Sequence, residues 1–414
     1  MSIKNLEPNG LWKNFYELTQ IPRPSKKEEK VVAFLKQFGE NLGLETIVDK
    51  VGNVIIRKPA TPGYEDRMGV VLQAHVDMVP QKNSDKVHDF EKDPIETRIE
   101  DGWVKANGTT LGADNGVGAA AAMAVLEATD LVHGPIEGLF TIDEETGMTG
   151  ANALEPGVLK GDILINMDSE TEGELYVGCA GGIDTCGYFT PKFEDVPAGS
   201  KAFQLIVKGL KGGHSGMDII LGRANANKVM NALLLKATEK FNARVADIQG
   251  GSLRNAIPRE SFVTITVPEA KAEELLAYVP EFEAVVKEQF AAVEPEMSIT
   301  VVPAEMPAKV IDKETIAKLI EAVAKYPNGV IAMSKDFEGT VETSSNLAIV
   351  KLVDGQIMTA SLQRSLVDAS KDELAAEMRK VLESCGARAE STGSYPGWKP
   401  NINSIIYNTM KKVY

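Results

Sequence analysis

The spacing of apolar residues changes period several times along the chain, and each change marks an element. After Pro22-Arg23-Pro24-Ser25, apolar residues recur at helical spacing as Val31, Phe34, Leu35 and Phe38, and Ser25 with Glu28 reads as a capping box opening that helix. Asn53–Arg57 predicts a strand, and Val70–Ala74 predicts another, apolar enough to be buried on both faces. Ala119–Glu127 is an alanine-rich helix beginning just after Asp114, and Ile136–Ile142 and Asp162–Ile165 are two more short apolar strands. This alternation predicts a mixed or parallel sheet flanked by helices through residue 170.

The pattern shifts near Gly178-Cys179-Ala180-Gly181-Gly182 and then reads as α+β. Phe203–Val207 and Phe262–Val267 predict strands, and helices are expected over 224–240, 270–290 and 313–325. Leu347–Val353, Asp354-Gly355 and Ile357–Leu362 form a hairpin signal. Ser370 with Glu373 reads as a second capping box. The halves 200–300 and 310–390 share a weak strand–helix similarity. A Pro/Gly/Ser-rich hinge at 391–398 leads into a last segment that starts a helix and stops at Tyr414.

Composition narrows the classes. A chain of 414 residues exceeds one ordinary core and predicts two or three domains. Its net charge of −15 argues against nucleic acid and anionic membrane as partners. No run of 18 apolar residues is present, and the N-terminal residues carry no apolar signal core. Cys179, Cys186 and Cys385 form no paired framework, which points to a reducing cytoplasm.

The chemistry sits at strand ends. Gln73-Ala74-His75-Val76-Asp77 closes one strand and Thr141-Ile142-Asp143-Glu144-Glu145 follows another, with Gly112-Ala113-Asp114-Asn115-Gly116 between them and Asn166-Met167-Asp168 beyond. Singly, each has an ordinary reading: a surface pair, a solvated corner, a turn. Together they match a two-metal hydrolase, in which cations roughly 3.5–4 Å apart share a carboxylate and need a base beside the water. The candidate ligands are His75, Asp114, Glu145 and Asp168, with Glu144 as base. Side-chain period two puts His75 and Asp77 on one side of an extended chain, so Asp77 can hold the imidazole. In extended chain Glu144 and Glu145 diverge, so one can ligate while the other reaches the water. His88 and His133 are read as structural. The glycine-rich Gly209–Gly216 lacks the Gly-Lys-Ser/Thr of a phosphate loop.

Four strings make a resemblance specific: Val71–Asn83, Gly108–Gly116, Gly178–Asp184 and Leu253–Glu260. Over essentially the whole chain the sequence resembles the aminoacyl-histidine (Xaa-His) dipeptidases, within the group that includes cocatalytic zinc aminopeptidases, carboxypeptidase G and aminoacylase. The resemblance implies an α/β catalytic domain, a mixed, largely parallel sheet flanked by helices, with an inserted α+β lid and dimerisation domain. The expected boundaries are 1–183 for the first part of the catalytic domain, 184–392 for the lid, and 393–414 for an incomplete return.

It also implies a cytoplasmic homodimer acting on unblocked dipeptides, Xaa-His among them, with two divalent ions, zinc or else cobalt or manganese. N-acyl amino acids or short peptides are the alternative substrates. Asp114 would bridge the metals, His75 and Asp168 would complete one site, and Glu145 would serve the other. Asp77 would orient His75. Glu144 would take the proton of the bridging hydroxide's parent water and pass it to the leaving amine. His214 would stabilise the oxyanion, and Arg364 would grip the substrate carboxylate with help from Asn255.

The resemblance further implies a C-terminal histidine ligand, yet none of the four histidines follows His214. The expectation is a truncated chain that binds the Glu145-side metal poorly and hydrolyses dipeptides weakly or not at all. Turnover by the metal-reconstituted polypeptide equal to that of full-length relatives would overturn this.

Overall fold

Alternation of buried side chains in the first 175 residues builds a five-stranded mixed sheet. A computed structural model describes residues 2–169 and 171–413, so Tyr414 lies outside the described residues. The chain divides into two compact units, Met1–Leu175 and Tyr176–Tyr414.

In the first unit the strands are β1 (Glu45–Val48), β2 (Val54–Lys58), β3 (Val70–His75), the separate hairpin β4 (Thr97–Glu100) and β5 (Trp103–Ala106), then β6 (Ile136–Thr141) and β7 (Ile163–Asn166). The sheet order is β1-β2-β6-β3-β7. β3 runs parallel to both β6 and β7, whereas β1–β2 and β2–β6 are antiparallel. One face carries Val54, Ile56, Ala74 and Phe140. It packs under α1 (Asn9–Thr19), α2 (Glu29–Asn41) and α3 (Ala113–Glu127), burying Phe15, Leu18, Val31, Leu35 and Met123. The other face carries Ile55, Val71 and Leu139 against Leu154, Val158 and Leu159. Each such apolar side chain contributes about 1.5–3 kcal/mol on leaving water. The alanines of α3 (Ala119, Ala120 and Ala122, all fully buried) let it lie close to the sheet and to α1.

β3 and β6 are parallel, with His75 opposite Thr141, so their C-terminal ends lie together. The residues beyond them enter loops from one edge of the sheet, where ligands bind in parallel α/β sheets.

The second unit is built on a nine-stranded antiparallel sheet, with two small two-stranded pairings beside it among the described residues. Gly181–Phe189, Ser200–Lys208, Arg244–Gly250, Ser261–Pro268, Val341–Val353 and Gln356–Ser365 are its longer central members. The halves at 200–300 and 310–390 join where Gln249 and Gly250 pair with Lys351 and Val350. Helices Ala226–Phe241, Glu269–Phe290 and Lys313–Lys325 bury Leu233, Leu275 and Leu319 in its core.

Three expectations are corrected. The Ser25–Glu28 capping box does not form: α2 begins at Glu29, no side chain caps it, and the Ser25 hydroxyl donates to Asp77 instead. The Ser370–Glu373 box does not form either. That helix runs Asp368–Ser384, and its first turn is held by buried Lys371, which donates to Asp368 (3.0 Å) and to the Tyr395 carbonyl (2.9 Å). The hinge at 391–398 is largely strand, since Arg388–Tyr395 pairs with Gly181–Phe189. Gly181 has no side chain because a Cβ there would lie 2.5 Å from the Gly397 nitrogen.

Candidate metal centre

Four loops deliver the site of the first unit. His75 ends β3 and is almost fully buried, and its ring separates two groups of carboxylates. Nδ1 lies 3.2 Å from Asp77 Oδ1. Nε2 lies 3.0 Å from Asp114 Oδ1, 3.5 Å from Asp168 Oδ1 and 3.9 Å from Glu144 Oε2. Two sets of donor atoms, His75–Asp114–Asp168 and His75–Glu144–Glu145, each fall within 4.8 Å of one another. Every residue expected from the sequence as a ligand, base or imidazole partner is therefore in one place.

Asp77 organises the loops. Its carboxylate is fully buried and accepts from Ser25 Oγ (2.8 Å), Glu144 N (3.0 Å) and Glu145 N (3.2 Å). The last two bonds correct the extended reading of Glu144–Glu145: both residues lie in a short helical turn, Glu144–Gly147, whose free N–H groups Asp77 receives. The turn is braced behind by Asp143, which accepts from the hydroxyls of Thr146 and Thr149 and donates its N–H to Glu28 (3.2 Å). Burial raises the Asp77 pKa, but hydrogen bonds from His75, Glu144 N and Ser25 outweigh it and bring the group to about 2.

Asn115, whose sequence context is that of a turn, does more. Its amide nitrogen donates to Asp168 and to the Met167 carbonyl (3.0 Å), fixing one ligand candidate from the residue next to another. No motif marked this role, since the partners stand 53 residues apart. A third carboxylate group, Glu28–Asp77–Asp143, is buried, but its oxygens already receive the donors named above together with Lys26 N. It is scaffold.

The donor set suits a divalent cation. Imidazole nitrogen and carboxylate oxygen are the ligand types of zinc, cobalt and manganese. Among the described residues no lysine or arginine forms an ion pair with Asp114, Glu144, Glu145 or Asp168. In their place His75 carries the compensating charge. Burial disfavours its imidazolium, yet hydrogen bonds and charges of Asp168 and Asp77 outweigh that and raise its pKa to about 10. Burial, then neighbouring carboxylates, raise Glu144, partly opposed by His75. Glu145 is raised by burial and by Asp114.

The residues expected in the lid lie in the second unit and meet one another there. Ser215 N donates to the Asn255 carbonyl (2.8 Å), and Arg364 Nε reaches Ser215 Oγ (3.4 Å). Arg364 Nη1 also donates to the Tyr395 hydroxyl (3.0 Å). His214 Nδ1 accepts from Gly216 N (3.3 Å) and Met217 N (3.2 Å), so its proton sits on Nε2. Burial and the Arg364 charge lower its pKa. His88 stacks edge-on against Phe90, and His133 Nδ1 lies 2.7 Å from the Gly134 carbonyl, so neither joins the metal candidates.

The family model described as Peptidase family M20/M25/M40 matches residues 71–358. The chain belongs to this family. The cytosol non-specific dipeptidase of Escherichia coli (strain K12) is 45% identical over 415 residues, covering 100% of this chain and 85% of that protein. The crystal structure of aminoacylhistidine dipeptidase from Vibrio alginolyticus matches with a TM-score of 0.96 at 45% identity, covering 100% of this chain and 84% of that one. The fold class expected from the sequence is the one found, and no helix of the described residues is long and apolar enough to cross a membrane.

Two of the shifted groups, His75 and Asp77, bound a pH window for the metal-free chain. His75, raised from 6.5 to about 10, contributes stability that is full below pH 6.5 and lost as pH rises toward 10. Asp77, lowered from 3.8 to about 2, contributes stability present above pH 3.8 and lost as pH falls toward 2. Denaturant midpoints in chelator should therefore decline on both sides of the interval from 3.8 to 6.5. His75→Gln should flatten the alkaline decline, and an unchanged alkaline limb in that variant would contradict the assignment.

Proposed function

We propose that the chain is a metal-dependent dipeptidase whose centre lies at the C-terminal ends of β3 and β6. The observation that carries this reading is the convergence of Asp114, Glu144 and Asp168 on one nitrogen of His75, within 3.9 Å. Asp114 is proposed as the shared ligand, His75 and Asp168 as partners on one side, and Glu145 on the other. Bound there, divalent cations would supply Lewis acidity, polarising the scissile carbonyl and acidifying the attacking water.

The protein's own groups handle the proton. Glu144 stands in the second donor set beside Glu145, its carboxyl is partly exposed, and its pKa is raised. A raised carboxylate is a better proton acceptor, which suits a base that takes a proton from water and returns it to the leaving amine. Asp77 keeps His75 in one orientation throughout. Three residues of the second unit are proposed for substrate. His214 offers an Nε2–H donor for the developing oxyanion, and the Arg364 guanidinium, with Asn255, suits a carboxylate.

Dipeptides are favoured over N-acyl amino acids because both relatives named above are dipeptidases. A cytosolic location and a homodimer formed through the second unit belong to the same proposal. Support for the former is the cytosolic relative and three cysteines left unpaired.

The test compares hydrolysis of beta-alanyl-histidine, an N-acetyl amino acid and a tripeptide, with metal content measured on the same protein. The expected order puts the dipeptide first. Glu144→Gln should retain metal while lowering turnover by about 10²–10⁴-fold. Preference for the N-acetyl substrate, or unchanged turnover in this variant, would overturn the proposal.

A further inference from the structure

Arg23 is 2% exposed and is not used by the chemistry above. Its guanidinium lies between the two loops that bring His75 and Asp114 together. Nη1 donates to the carbonyls of Val76 (2.9 Å) and Asp77 (3.1 Å), and Nη2 donates to the carbonyl of Gly112 (2.5 Å). The segment carrying it is itself tied down. Met78 N donates to the Arg23 carbonyl (3.1 Å), Ser25 N donates to the Met78 carbonyl (3.3 Å), and Ser25 Oγ reaches Asp77.

The sequence around Asp114 is cut to fit this side chain. A Cβ on Gly112 would stand 2.6 Å from Arg23 Nη2, and so would a Cβ on Gly116. Gly112 also needs its left-handed φ of 70°. Glycine at both positions thus leaves the volume that the guanidinium fills. A buried cation is costly unless its donors are matched. Here Nη1 and Nη2 are matched by main-chain carbonyls while the buried Nε has no partner, and the nearby charges of Asp77 and Asp114 oppose the lowering that burial imposes on the group. A planar fork spans three carbonyls on two separate loops, which a lysine ammonium on a flexible stem cannot do.

We propose that Arg23 is a positioning residue that sets the separation of His75 from Asp114 and so preforms the cation site. The inference rests on the metal-dependent reading above. With the fork in place, Val76 and Gly112 are held on either side of one rigid group, and His75 Nε2 stands 3.0 Å from Asp114 Oδ1. Without it, three carbonyls lose a donor, and the two loops keep only the bonds farther along, from Thr110 N to the Gln81 carbonyl (2.8 Å) and from Thr110 Oγ1 to the Val79 carbonyl (2.6 Å).

The experiment titrates the 414-residue chain, Arg23→Met, Arg23→Lys and Gly116→Ala with Zn²⁺ and with Co²⁺. Calorimetry reads affinity, and the visible absorption of bound Co²⁺ reads coordination geometry. Circular dichroism and denaturant midpoints report the fold of each variant. Loss of roughly tenfold to a hundredfold in affinity is expected in all three, with an altered Co²⁺ band, in protein that is still folded. Gly116→Ala keeps the arginine and crowds it, so it tests the same geometry even if Arg23→Met does not fold. A lowered midpoint with affinity and Co²⁺ band both unchanged in the folded variants would reduce Arg23 to a packing residue and overturn the proposal. A parent chain that takes up neither metal would instead sink the metal-dependent reading itself.

Discussion

The first unit depends on a single buried carboxylate. Asp77 is enclosed by protein and receives a serine hydroxyl and two main-chain N–H groups while facing the His75 ring. Hydrogen bonds to a charged group contribute about 1.5–3 kcal/mol each, and unmet buried donors cost as much. The segment after β3, the start of α2's loop and the Glu144 turn therefore share one fixed point. A carboxamide of similar shape has one oxygen instead of two for these donors, so residue 77 must be acidic for the loops to keep their spacing.

Around that point the acids fall into two electrostatic classes. Asp77 and Asp168 are stabilised as anions by hydrogen bonds, from His75 in both and from Asn115 in the latter, against the opposing effect of burial. Glu144 and Glu145 are pushed the other way by burial and neighbouring charge. Divergent pKa values within one cluster keep some carboxyls firmly anionic and leave others readier to take a proton. Glu144 and Glu145, adjacent in sequence, share the upward shift, and His75 opposes it in both.

Much of this was legible in the sequence because the residues sit where apolar runs end. A strand that stops at His75 and another that stops at Thr141 need only lie parallel for Asp77 and Glu144 to meet. The hairpin at Asp354-Gly355 was equally plain, from turn chemistry between two apolar runs. Other features were hidden by long-range partners. Ser25 has the sequence context of a helix cap, but a buried carboxylate 52 residues away takes its hydroxyl. The 391–398 segment has hinge composition, and pairing with Gly181–Phe189 makes most of it strand. Arg23, between two prolines, carried no signal at all, because its partners are carbonyl oxygens, which every residue has.

His214 shows how main-chain geometry can fix the state of a side chain. Two successive amides, Gly216 and Met217, aim their hydrogens at one ring nitrogen. That nitrogen has no room for a proton of its own unless the turn opens. The opposite nitrogen is therefore the one that carries the hydrogen and serves as a donor. The shape of two consecutive peptide planes thus selects the tautomer of a half-buried ring.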